Sequence, residues 1–230
     1  MPALPTNLRG TLDWLRPWRR FQRSLAKRRQ LPPALARIDA IDGQISLGEA
    51  TLLHELASAA RGGVIVEVGT FHGKSTVALA LGAQAGAKAK VYGVDPFVTF
   101  VGSFGRTFTP AEKITLFQNL LLAGVAEHVW LLQTTSERAA RGFDEPIALL
   151  WVDGDHSYDG VRRDFAAWAP HVAAGGILAF HDSISPRLGV ARFLDELLGA
   201  SDEYERLRVV DRTTVVQRVA RGRASGSGTA

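Results

Sequence analysis

Acids and imidazoles fall in this sequence where short apolar runs stop. Val64-Ile65-Val66 leads into Glu67-Val68-Gly69, and Val91 to Val94 leads into Asp95-Pro96. Val129 to Leu132 leads into Gln133-Thr134, Ile147 to Val152 into Asp153-Gly154-Asp155-His156, and Ile177 to Phe180 into His181-Asp182. A histidine beside carboxylates has a pKa near neutrality that those neighbours tune, so such groups suit proton movement or the holding of a cation. The chain has no cysteine, which removes thiolate metal sites, disulfides and a thiol nucleophile from consideration.

Side chains at the ends of five runs act together only if the runs lie side by side. The runs are continuously apolar and alternate with helical stretches near 75–82, 110–123, 136–141, 158–169 and 188–198. That pattern predicts a parallel sheet covered on both faces, an α/β fold. Ser46-Leu47-Gly48-Glu49 is a capping box opening a further helix through about Ala60, with Leu52, Leu53 and Leu56 inward. At the other end, Leu207 to Val210 and Thr213 to Val216 read as two more strands joined by a tight turn. In open α/β sheets ligands bind at the carboxyl ends of the strands, near the switch point of strand order.

The 230 residues suffice for a full core, and 46% hydrophobic with 22% charged residues fits a globular chain rather than a disordered one. No run approaches a bilayer span, and Leu31-Pro32-Pro33 follows the early arginines where a secretory signal would have an apolar stretch. The expected location is the cytoplasm. Charge is segregated: residues 1–30 hold eight basic residues and one acid, +7 in all, while the other 200 carry −3. A nucleic-acid binder with a basic globular face is therefore disfavoured. Trp14, Trp18, Phe21 and Leu25 share one face of a basic amphipathic helix. That helix suits either an anionic membrane surface or acidic partner, or packing on the body or on a neighbouring subunit. The expected organisation is an arm and linker over 1–44, one domain over 45–218, and a disordered tail over 219–230.

Three readings compete for the loop Glu67-Val68-Gly69-Thr70-Phe71-His72-Gly73-Lys74-Ser75-Thr76. A dinucleotide fingerprint needs a second glycine where Phe71 stands. Gly73-Lys74-Ser75-Thr76, with Leu149-Leu150-Trp151-Val152-Asp153 downstream, imitates a P-loop NTPase, but three residues separate Gly69 from Gly73. A phosphate cradle needs about four. The third reading is a phosphate-free adenosyl site. Glu67 would repel a triphosphate yet accept from an ammonium or ordered water, and Gly69 and Gly73 would let backbone lie against the ligand. Asp95 can accept two ribose hydroxyls, or else cap the turn before Pro96. Thr134 and Ser136 can meet an adenine edge or cap the next helix.

Taken together, EVGTFHGKS at 67–75, GVDPF at 93–97 and WVDGDHSYDGVRRDFAAWAPHVAAGGILAFHD at 151–182 resemble the class I S-adenosylmethionine-dependent methyltransferases. The last segment is similar to small-molecule O-methyltransferases related to catechol O-methyltransferase and to sugar- and antibiotic-modifying enzymes, the type of methyltransferase domain family 24. The resemblance spans roughly residues 45–218. It implies a Rossmann-like, doubly wound, mostly parallel seven-stranded sheet with an antiparallel last strand and helices on both faces. It also implies S-adenosyl-L-methionine as cofactor, with Gly69 against its methionine moiety, Asp95 on its ribose, and Glu67, Gly73, Ser75, Thr134 and Ser136 around it. The acceptor would be a hydroxyl of a small molecule.

In catechol-type relatives an Asp, with an acid and amide 28 and 29 residues later, holds Mg2+. Here those offsets give Asp153, His181 and Asp182. The nitrogen of His181 departs from that hard-oxygen set, so the expectation is a divalent cation, Mg2+ or Mn2+. The relatives' general base, a lysine three positions after the Asp, corresponds to His156. Without those roles, His156 is a helix-start residue bonded to its loop, and His181 donates to Asp153 or a backbone carbonyl. The phenylalanine-rich stretch 97–108 is either a lid over the site or a partly buried aromatic cluster, ahead of a helix capped at Thr109-Pro110. Two rivals to methyl transfer are a P-loop NTPase and a methyltransferase-like binding domain without catalysis.

Overall fold

The computed structural model describes residues 35, 36, 38–102 and 105–219. The chain divides into two units, Met1–Ala36 and Arg37–Ala230, and the second carries everything that follows. The amphipathic arm and the tail from 220 onward lie outside the described residues. Residues 38–44, grouped with the arm in the sequence reading, fall in the second unit, where Ile38 is buried. Among the described residues no helix is long and apolar enough to cross a membrane.

In chain order the elements are α1 (Leu47–Ala59), β1 (Val64–Val68), α2 (Lys74–Ala85), β2 (Val91–Val94), β3 (Phe100–Val101), β4 (Thr107–Phe108), α3 (Glu112–Leu122), β5 (Val129–Leu132), α4 (Ser136–Arg141), β6 (Ile147–Val152), α5 (Tyr158–Trp168), β7 (Val172–Phe180), α6 (Gly189–Ala200), β8 (Tyr204–Val210) and β9 (Thr213–Arg218). Seven strands form one sheet in the order β5-β2-β1-β6-β7-β9-β8. The first five are parallel, and β9 runs antiparallel to both β7 and β8. This is the Rossmann-like sheet with an antiparallel last strand that the resemblance implies.

Alternation along the central strands splits the core in two. Val66, Val68, Leu150, Val152, Leu178 and Phe180 form one cluster with Val161 and Trp168 of α5 and Val190, Phe193 and Leu194 of α6. The intervening residues Ile65, Leu149, Trp151 and Ala179 are equally buried but point to the opposite face. Full burial of β1 and β6 explains their uninterrupted apolar sequence.

Register places the site. Val68 pairs with Val94 and with Val152, Val94 with Leu132, and Val152 with Phe180. The residue after each strand therefore emerges on one edge: Gly69, Asp95, Gln133, Asp153 and His181. The ladder still runs through most of them, with Gly69 N–H donating to Val94 O at 2.9 Å, Asp153 N–H to Val68 O at 2.9 Å and His181 N–H to Val152 O at 3.0 Å. Because β1 lies between β2 and β6, the switch point opens beside Gly69.

Three local expectations differ from the structure. Strand β7 starts at Val172 rather than 177, its first half written in alanine and glycine that carry no strand signal. Residues 100–108 contain a short antiparallel ribbon, β3–β4, where only loop was expected. Helix α3 starts at Glu112 instead of Pro110; its N-cap is Ala111, and Thr109 Oγ1 accepts from Ala111 N–H at 3.3 Å in a turn.

Candidate active site

The glycine loop is shaped from below and from the side. Gly69 has φ +87°, and a Cβ there would stand 2.4 Å from the Asp153 carbonyl oxygen, so only glycine lets β1 and β6 hand over their loops this closely. Gly73, at φ +84°, is the N-cap of α2, and a Cβ would meet Leu116 at 2.4 Å. Between them Phe71 is held at φ +45°, a strained backbone for a bulky residue. Asp95 supplies the restraint. Its Oδ2 accepts from Thr70 N–H at 3.1 Å, Thr70 Oγ1 at 3.2 Å and Phe71 N–H at 3.3 Å, while Oδ1 accepts from Phe97 N–H at 2.9 Å. Asp95 thus lies on the cavity wall and organises two turns at once. The loop amides that a P-loop would offer to phosphate are already given to a carboxylate, which counts against the NTPase reading.

Beneath the loop Glu67 is fully buried and accepts from Ser75 Oγ through Oε1, while Oε2 has no hydrogen-bond partner. Burial pushes its carboxyl up to about 8 against the opposing hydrogen bond from Ser75. Glu67 is therefore a neutral acid supporting Ser75 and does not line the cavity, unlike the ligand contact expected of it. Gly73 and Thr134 do not line it either. Thr134 N–H turns back to Leu132 O at 2.9 Å, and Thr135 takes its place on the wall as N-cap of α4. Ser136 does reach the wall and accepts from Trp168 Nε1 at 2.9 Å.

At the ends of β6 and β7 the acids and imidazoles converge. Asp153 Oδ1 lies 3.1 Å from His156 Nε2 and 2.8 Å from His181 Nδ1. The second approach is not a hydrogen bond, because the ring N–H does not point along it, and both ring nitrogens of the buried His181 lack a hydrogen-bond partner. Asp182, at φ +51°, sends Oδ2 to within 3.8 Å of both His156 Nδ1 and His181 Nδ1. Its Oδ1 accepts from Arg212 Nη1 at 2.7 Å. Among the described residues, Asp153, His156 and His181 present ligand atoms all within 4.8 Å of one another. Asp182, expected as a third ligand, stands beside this set with one oxygen committed to Arg212.

The electrostatics favour positive charge here. Burial opposes ionisation of His181, but the Asp153 charge, with Glu49 and Asp182, lifts it to about 10. Burial likewise opposes ionisation of Asp153, yet His181 and His156 bring its carboxyl down to about 2. Carboxylates that gather this tightly around an imidazole hold a proton there, or a metal ion in its place.

Asp153 and His156 line a cavity of about 520 Å³, while His181 and Asp182 are buried and do not reach it. The cavity lining also includes Gly43, Gln44 and Ile45 ahead of α1, Lys74 on α2 and Asp164 on α5, none of which the sequence reading assigned to the site. Burial raises the Asp164 carboxyl to about 6. On α5 Asp164 is buried on the same side as Val161 and Trp168, which the apolar spacing alone does not announce. The β3–β4 ribbon lines the cavity too, through Phe100, Val101 and Phe108. Phe100 and Phe108 stack at 4.7 Å, Phe108 meets Phe71 edge-on at 5.4 Å, and the Arg106 guanidinium sits 4.3 Å above the Phe71 ring. Phe97 is buried beneath.

Solved proteins share this architecture at low identity. A putative O-methyltransferase from Klebsiella pneumoniae superposes with TM-score 0.63 at 18% identity, over 90% of this chain and 100% of that one. An O-methyltransferase from Bacillus cereus, solved with SAH, gives TM-score 0.59 at 18% identity over 95% and 93%. The O-methyltransferase TomG of Streptomyces achromogenes, involved in tomaymycin synthesis and solved with SAM, gives 0.57 at 21% over 86% and 90%. A family model described as a methyltransferase domain matches residues 66–183. That stretch runs from β1 through the glycine loop and the acid–imidazole cluster to just past β7, more than half of the sequence, and the chain therefore belongs to this methyltransferase-domain family.

Proposed function

We propose that this chain transfers the methyl group of S-adenosyl-L-methionine to a hydroxyl of a small molecule, a sugar, phenol or natural product, with assistance from a divalent cation. The observation that carries the reading is the adjacency, on one cavity wall, of a glycine loop tied to Asp95 and the pair Asp153 and His156, with the buried His181 in contact with Asp153. The names of the Bacillus cereus and Streptomyces achromogenes proteins, both O-methyltransferases solved with SAH or SAM, support the same chemistry.

The residues fit both groups. Gly69 and Ser136 line the cavity, where they can meet the methionine moiety and an adenine edge, and Asp95 Oδ1 receives a single backbone donor and keeps acceptor capacity for a ribose hydroxyl. The unpartnered nitrogens of His181, the close but unaligned approach of Asp153 and the free Oδ2 of Asp182 fit a cation held by Asp153 and His181, with Asp182 next to it. Imidazole donors direct that site toward Mn2+ or its neighbours rather than Mg2+. A bound divalent ion would lower the pKa of an acceptor hydroxyl. His156 faces the cavity, with Nε2 oriented by Asp153, and takes the acceptor proton as general base. The ribbon and Phe71 keep water from the reacting atoms.

One equilibrium titration tests this. The protein should bind S-adenosylhomocysteine and ignore ATP. ATP binding would revive the NTPase reading, and binding of neither would leave a methyltransferase-like domain acting through a partner.

A further inference from the structure

Glu49 lies in the first turn of α1, outside every loop that carries the proposed chemistry, and is completely buried. Its Oε2 closes the capping box by accepting from Ser46 N–H at 2.8 Å. Its Oε1 accepts from Arg212 N–H at 3.1 Å and from Thr213 Oγ1 at 2.9 Å, so the carboxylate pins α1 to the β8–β9 turn. Capping and pinning would leave no reason for a charge this deep to face the site. Yet the same Oε1 is 3.6 Å from His181 Nε2, on the side of the ring opposite Asp153. That nitrogen is buried without a hydrogen-bond partner, and Arg212 continues the connection by donating to Asp182.

We infer that Glu49 is a positioning residue for the metal centre: it holds the Nε2 edge of His181 so that Nδ1 is the nitrogen offered beside Asp153. This rests on the divalent-cation reading given above. A ligating imidazole needs one nitrogen metal-free and protonated, and a carboxylate facing that N–H fixes both the tautomer and the ring orientation. The carboxylate also reaches the ring from a different element than the ligands. α1 and the β8–β9 turn thereby become part of the centre's frame, and Asp182 is tied to the same frame through Arg212.

The test compares Mn2+ binding to the full chain, Glu49→Gln and Ser46→Ala by titration, with melting temperature read alongside. Glu49→Gln should weaken Mn2+ binding about ten- to a hundredfold, the usual loss when a ligand's outer partner is removed. Ser46→Ala removes the cap without touching the His181 side, so it should lower the melting temperature and leave Mn2+ affinity unchanged. Equal weakening by both variants, or none by Glu49→Gln, overturns the inference while the metal site stands. No Mn2+ binding by the wild-type chain overturns the metal reading and this inference with it. Should Glu49→Gln fail to fold, the 15N spectrum of Zn2+-loaded wild-type protein decides. A metal-bound Nδ1 and protonated Nε2 on His181 support the inference, and the reverse assignment ends it.

Discussion

Glu67 and Glu49 show what a residue type can and cannot announce. The sequence places Glu67 at the end of β1 beside the loop, which makes it look like a ligand contact, but side-chain alternation turns it away from the cavity into full burial beneath Ser75. Glu49 was legible as half of a capping box, because that role needs only neighbours three residues away. Its partners Thr213 and His181 lie more than a hundred residues on, and no local pattern encodes them. Asp95 was legible in both of its alternatives, and the structure realises the turn-forming one while keeping it on the cavity wall. The buried Glu67 makes a pH prediction. Its pKa is about 8 folded against an ordinary 4.5, so the native state retains a proton that the unfolded chain has lost. Its contribution is present below 4.5 and is lost as pH rises toward 8. Glu67→Gln keeps an acceptor for Ser75 but cannot titrate. Between pH 5 and 8 the wild type should therefore lose up to ~3 kcal/mol relative to the variant in urea unfolding. Parallel stability profiles for the two proteins would mean that Glu67 is ionised where it sits.

Among elements, those made by periodicity were readable and those made by geometry were not. Strands β1, β2, β5 and β6 stand at the residues where the apolar runs placed them; β1 and β6 are buried on both faces and so are written without a break, while the edge strand β5 is apolar but only partly buried. The ribbon β3–β4 is only two residues on each side, too short for an alternating pattern, and is held by ring stacking rather than by burial. Because it lines the cavity, an experiment can separate a lid from a packed aromatic cluster. Phe108→Ala removes the stack on Phe100 and the edge contact with Phe71. Such aromatic pairs contribute about 1 kcal/mol, so as a lid the ribbon should release S-adenosylhomocysteine about fivefold faster in stopped-flow, with the melting temperature nearly unchanged. A lower melting temperature with unaltered release would make it a structural cluster.

At the scale of the molecule, charge and chemistry occupy different parts of the chain. The +7 of residues 1–30 was the plainest compositional signal, yet the family match begins at residue 66, and every residue lining the cavity among those described lies at Gly43 or later. Fold class was legible because alternation of strand and helix is a whole-chain property. The role of the arm was not, since an amphipathic stripe states only that something apolar covers it. Deleting residues 1–30 should accordingly leave S-adenosylhomocysteine affinity within about twofold of the full chain, as no proposed contact is removed. What else changes identifies the cover. Trp14 and Trp18 are large apolar surfaces of the kind folded chains keep covered, which favours packing on protein. The truncated chain should then melt at lower temperature or change its oligomeric mass, with neither form sedimenting with anionic vesicles. A membrane surface would attract the basic residues at about 1 kcal/mol each and would be screened by salt. Salt-sensitive sedimentation of the full chain alone would therefore reverse the preference and make the arm a device for bringing the methyltransferase domain to lipid.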